Sequence, residues 1–127
     1  MKVLVVDNEP AEVETLRRGL ACLGYSVVSA ESSDEALQVI DREGDSLGLV
    51  MTDYVMPGRD GLFLIEEIRN RYPAMPVVLV TGQLGSEVYC GNQQKLCCGV
   101  LEKPFDLEKL RTELERVIST SAICKTQ

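Results

Sequence analysis

Val3-Leu4-Val5-Val6-Asp7-Asn8-Glu9-Pro10 is the stretch that decides the fold. Four consecutive aliphatic residues make an unbroken apolar run, as expected of a strand covered on both faces. Two polar residues end the run. Pro10 suits the first turn of a helix, and from there Val13, Leu16, Leu20 and Leu23 recur at helical spacing. Gly24 follows as a C-terminal cap. A buried strand, a polar end and an amphipathic helix form the unit from which parallel α/β sheets are built.

The unit repeats along the chain. Residues 25–30 read as a second strand. Ser32 or Ser33 can cap a helix carrying Ala36, Leu37 and Ile40, which Gly44-Asp45-Ser46 breaks. Leu47–Asp53 is a third strand. Residues 54–61 are dense in turn formers, with Asp60-Gly61 a turn before the next helix. That helix carries Leu62, Ile65 and Ile68, and Pro73 and Pro76 close it. Val77–Thr81 is a fourth strand. Residues 86–98 read as a fourth helix with a poor apolar stripe, interrupted by Gly91 and Asn92. Residues 100–102 make a short fifth strand. Asp106 caps a last helix with Leu107, Leu110, Leu114, Val117 and Ile118 on one face, and the polar residues 119–127 are expected to fray. Five such units predict a doubly wound sheet with helices on both faces and strand order 2-1-3-4-5. No internal repeat, linker or low-complexity tract interrupts them.

Bulk properties narrow the function. The chain has 127 residues, enough for one ordinary domain. Only two Phe and four Tyr are present, with no Trp, so the core is expected to be aliphatic. Net charge is -7, from 20 acids against 13 bases, which disfavours a general attraction to nucleic acid. No apolar stretch nears the ~20 residues that span a bilayer, and no signal-peptide pattern opens the chain. A cytoplasmic protein is expected. The five cysteines (22, 90, 97, 98 and 124) are odd in number and contain no C-x-x-C pair, so they are expected to be free thiols.

Polar residues punctuate four of the apolar runs. Asp7 and Asn8 end the first, Asp53 the third, Thr81 the fourth, and Lys103-Pro104 follows the fifth. In an open α/β sheet ligands bind at the carboxyl edge of the strands, where these residues would gather. Two carboxylates and an amide oxygen suit Mg2+, which takes oxygen ligands and keeps several waters. A backbone carbonyl just after Asp53, most simply that of Val55, would complete the protein part. Asp53 is then the candidate carboxylate nucleophile for a phosphoryl group. Lys103 can neutralise one phosphoryl oxygen and Thr81 can donate its hydroxyl to another. The chain has no histidine, hence no imidazole base, which fits a reaction that needs positioning and charge neutralisation more than acid-base catalysis.

These residues resemble the receiver domain of bacterial two-component response regulators, over residues 1–119. The carrying motifs are Val3-Leu4-Val5-Val6-Asp7-Asn8-Glu9-Pro10, Thr52-Asp53-Tyr54-Val55-Met56-Pro57-Gly58-Arg59-Asp60-Gly61, Val77-Val78-Leu79-Val80-Thr81-Gly82 and Lys103-Pro104-Phe105. The resemblance implies a flavodoxin-like (βα)5 fold. It implies that Asp53 accepts a phosphoryl group from a sensor histidine kinase or a histidine phosphotransfer protein. Asp7, Asn8, Asp53 and the Val55 carbonyl would hold Mg2+, with Thr81 and Lys103 on the phosphoryl group. It also implies a cis Lys103-Pro104 peptide, and a switch in partner binding rather than a metabolic enzyme.

Residues 120–127 are then a polar tail or a linker stub to an output domain in a longer chain. Family analogy offers homodimerisation through the face made by helix four, strand five and helix five. No direct nucleic-acid or membrane contact is expected of this domain.

Three departures from the family pattern stand out. Asn8 replaces a second acid and should weaken Mg2+ binding. Val100 stands where many relatives carry an aromatic ring that reports phosphorylation, and Leu96-Cys97 replaces a small pair upstream. Val55 cannot orient a hydrolytic water, whereas Gln83 could. Three rival readings remain: a degenerate receiver acting as a phosphorylation-independent docking module, a Mg2+-dependent phosphohydrolase, and a flavin binder. The phosphohydrolase lacks an acid at position 55. For a flavin, Asp7-Asn8-Glu9-Pro10 is anionic where an anion should bind.

Overall fold

The computed structural model describes residues 1–53, 61–82 and 99–125, with side chains for 1–53, 63–82 and 99–119. Val55, the remainder of the 54–60 loop, Gln83, the expected fourth helix at 86–98 and three of the five cysteines lie outside the described residues. The strands are β1 (Lys2–Val6), β2 (Ser26–Ala30), β3 (Leu47–Asp53), β4 (Val77–Thr81) and β5 (Gly99–Glu102). They form one parallel sheet in the order β2-β1-β3-β4-β5, the flavodoxin-like arrangement expected from the strand and helix alternation. The helices are α1 (Pro10–Cys22), α2 (Ser33–Glu43), α3 (Gly61–Arg71) and the last helix, here α4 (Leu107–Lys125).

The period-two alternation of the strands sorts the core into two layers. Leu4, Val6, Val50 and Leu79 point to one side and pack with Leu37 and Ile40 of α2 and Leu64 and Ile68 of α3. Val3, Val5, Leu49, Met51, Val78 and Val80 point to the other and pack with Leu16 and Leu20 of α1 and Leu110, Leu114 and Val117 of α4. The central strands are apolar on both faces because both faces are covered.

The helix ends follow from local chemistry. Pro10 opens α1. Gly24 closes it at φ 93°, with its N–H on Ala21 O and the Tyr25 N–H on Leu20 O, the pair of bonds of a Schellman cap. Ser32 is the N-cap of α2, accepting the Glu35 N–H at 3.1 Å. Asp106 caps α4 by accepting the Lys109 N–H at 2.8 Å.

One expectation is corrected. Helix α4 continues to Lys125 instead of fraying after Ile118. Nothing between Leu107 and Lys125 is glycine or proline, so no residue in that span breaks the helix. Gly99, at the start of β5, has a packing reason: a Cβ there would come within 2.6 Å of Val117 Cγ2, so only glycine lets the strand lie against α4.

Candidate functional site

Register brings the strand ends level. Val6 pairs with Thr52, which sets the next residues, Asp7 and Asp53, side by side beyond β1 and at the end of β3. Asp53 in turn pairs with Val80, and Thr81 with Glu102, so Thr81 and Lys103 arrive at the same edge from β4 and β5. The Lys103 N–H donates to Thr81 O at 2.7 Å, tying the segment after β5 to the end of β4. The Lys103-Pro104 peptide is cis, as the resemblance implies.

Lys103 sits among three carboxylates. Its Nζ lies 3.3 Å from Asp53 Oδ1, 2.8 Å from Glu12 Oε2 and 4.0 Å from Asp7 Oδ2. Asp7 is only 2% exposed and accepts the Glu9 N–H at 3.0 Å. Thr81 is buried at the end of β4, and Asn8 follows Asp7, half-buried. Of the six residues expected at the site, the structure thus brings Asp7, Asp53 and Lys103 into direct proximity. It sets Asn8 and Thr81 beside them in the chain and sheet, and Val55 lies outside the described residues.

Glu12 is the addition that the sequence pattern does not announce. An acid in the first turn of a helix is ordinarily a partner of the helix dipole. Here the N-terminus of α1 aims Glu12 at Lys103, 91 residues away in sequence.

The electrostatics follow from this crowding. Burial pushes the Asp7 carboxyl up to about 7; a shared hydrogen bond with Glu12 and the charges of Asp53 and Glu12 add to it, and the Glu9 N–H opposes it. Glu12 is held below the usual carboxylate range by its bonds to Asp7 and then to Lys103. Burial alone would lower Lys103, but the hydrogen bond to Glu12 and the charge of Asp53 outweigh it and raise the ammonium above its ordinary value. Asp7, Glu12 and Asp53 each offer an oxygen within 4.8 Å of the others. That donor set is all carboxylate oxygen, the chemistry that Mg2+ accepts.

Comparison with known proteins agrees with this geometry. The family model described as the response regulator receiver domain matches residues 3–115. The chain is 34% identical over 120 residues to the transcriptional regulatory protein GlrR of Escherichia coli, covering 94% of this chain and 27% of that protein. It therefore spans about a quarter of the length of that curated relative. A response regulator receiver domain protein from Clostridium thermocellum superposes with a TM-score of 0.89 at 26% identity, covering 97% of this chain and 98% of that one. The response regulator TrrA of Thermotoga maritima, solved in complex with Mg2+ and BeF, superposes with a TM-score of 0.81 at 29% identity, covering 91% and 97%. Among the described residues no helix is long and apolar enough to cross a membrane. A family model that runs from β1 into the first half of α4 leaves one conclusion: this chain belongs to the response regulator receiver family, the signalling domain of two-component systems.

Proposed function

We propose that this domain accepts a phosphoryl group on Asp53 with the help of Mg2+, taking it from a sensor histidine kinase or a histidine phosphotransfer protein, and thereby changes its affinity for a partner. The observation that carries the reading is the approach of Lys103 Nζ to Asp53 Oδ1, 3.3 Å, at a strand end shared with buried Asp7. TrrA, a relative of the same fold, was solved with Mg2+ and BeF bound.

The chemistry assigns each residue a task. An oxygen of Asp53 attacks phosphorus, forming the acyl phosphate P–O bond. The P–N bond to the donor imidazole breaks, and its electron pair stays on that nitrogen, which is reprotonated from water. Lys103 follows the charge that moves onto the transferred oxygens. Thr81 donates its hydroxyl to one of them. Asp7, Asn8 and Asp53, with the Val55 carbonyl, would hold Mg2+, which supplies neutralisation of phosphoryl and carboxylate charge when bound. The added group brings roughly -1.5 to -2 charge near neutral pH. Set against one lysine, that charge is large enough to bias a two-state segment. In a longer protein, an output domain would read the change.

The test is the intact mass after incubation with acetyl phosphate and Mg2+. One phosphoryl group should add to the wild type and none to Asp53→Asn. An unchanged wild-type mass would favour the docking-module reading.

A further inference from the structure

We propose that Glu12 is a positioning residue that competes with the phosphoryl group for Lys103, so that loading Asp53 exchanges one ion pair for another. The inference rests on the phosphoacceptor reading above and concerns a residue outside the expected site. In the structure Lys103 is closer to Glu12 than to Asp53, 2.8 Å against 3.3 Å. Glu12 rides on the first turn of α1, its own N–H bonded to Glu9 O at 3.1 Å. The Lys103 backbone is tied by its N–H bond to Thr81 O, while its ammonium reaches both Glu12 and Asp53 on a four-carbon stem that lets it shift between them.

A phosphoryl group on Asp53 places a stronger anion beside the same ammonium. Glu12 then becomes a surplus negative charge next to it. Along the Glu12–Lys103 pair runs an open groove of about 240 Å3, lined by Thr15, Leu16, Val80, Pro104 and Phe105, and the Glu12 side chain, 38% exposed at its mouth, can turn out to water once released. Glu12 therefore acts through Lys103 and makes no bond to phosphorus.

Titration calorimetry with beryllofluoride at saturating Mg2+ tests this directly. Glu12→Gln should bind beryllofluoride about threefold to tenfold more tightly than wild type, the scale of one part-buried ion pair. Glu14→Gln removes the same charge from the same helix but leaves Lys103 alone. Its affinity should match wild type. A crystal structure of the loaded wild type supplies a second readout that needs no variant: Lys103 Nζ should contact fluoride and stand more than ~4 Å from Glu12, beyond hydrogen-bond range. Unchanged or weaker binding by Glu12→Gln, an equal gain in Glu14→Gln, or a loaded structure that keeps the 2.8 Å pair would each overturn the proposal. Wild type that binds no beryllofluoride would bring down the phosphoacceptor reading itself. Wild type that binds it no worse than Glu12→Gln brings down only the role of Glu12.

Discussion

Two regions of this molecule set carboxylates beside cations, and they do so in opposite ways. On α4, Arg111 meets Glu108 and Glu115, and Arg116 meets Glu113, all three or four residues apart on the helix. Arg111, Glu108 and Glu115 are well exposed. Such pairs form whenever the helix forms, and water screens them. At the carboxyl edge of the sheet, Asp7, Glu12 and Asp53 come from three elements to share one lysine, and Asp7 is buried. No local rule assembles that group. Tertiary register does, and it leaves an excess of negative charge that the side chains cannot escape. The contrast teaches where to look for function: not where charges are paired, but where the fold forces them together unbalanced.

The sharpest way to test that imbalance is to remove its most buried member. The Asp7 carboxyl titrates near 7 in the folded state against 3.8 ordinarily. Between those values the folded protein holds a proton that the unfolded chain has lost, so without Mg2+ stability falls as pH rises from about 4 to about 7. Glu12, whose range is lowered, contributes in the opposite sense and offsets part of this. Asp7→Asn keeps an oxygen for the Glu9 N–H and deletes the titration. In EDTA at pH 8 it should be more stable than wild type by about 2 kcal/mol, with the gap closing towards pH 4. Urea unfolding at several pH values measures it. A variant less stable than wild type at pH 8 would mean that the cluster is balanced after all.

Much of this was legible in the chain, and the reasons differ by element. β1, β3 and β4 announce themselves because burial on both faces demands unbroken aliphatic runs, and the caps at Gly24 and Asp106 are chemistry of single residues. Asp7, Asp53 and Lys103 were legible as strand-end residues once the strand order was set. The edges were less so. β5 begins at Gly99, one residue early, because the glycine serves the contact with Val117, which no strand pattern displays. β2 begins at Ser26, after Tyr25 has been taken up in the cap of α1. Glu12 was out of reach for a stronger reason. Its partner depends on how α1 is rotated against the residue after β5, a relation carried by the packing of Leu16 and Leu20 and not by spacing.

The cluster can also be made more unbalanced. Asn8→Asp adds a fourth carboxylate beside Asp7. Mg2+ should bind about five- to tenfold more tightly by calorimetry, since a further unit charge within a few ångströms adds roughly 1 kcal/mol of attraction in a partly solvated site. The same variant should melt lower than wild type in EDTA, because without the cation the added charge only repels its neighbours. Equal Mg2+ affinity in the two proteins would show that Asn8 lies too far from the metal position to matter.

The smallest effect belongs to the other region. Arg111 is flanked by Glu108 and Glu115 one turn away on either side, so Arg111→Gln leaves two acids without their cation. Were paired charge on α4 of the same kind as the charge at the sheet edge, that loss would be felt as strongly there. It should not be. Both acids face water, gain its full solvation when the arginine is gone, and stand on opposite sides of the vacated position. The melting temperature should stay within about 2 °C of wild type, and Mg2+ and beryllofluoride affinities should not move. A larger drop would mean that α4 is held to the sheet by its ion pairs as well as by Leu110, Leu114 and Val117, and the line between local, solvated charge and forced, buried charge would have to be redrawn.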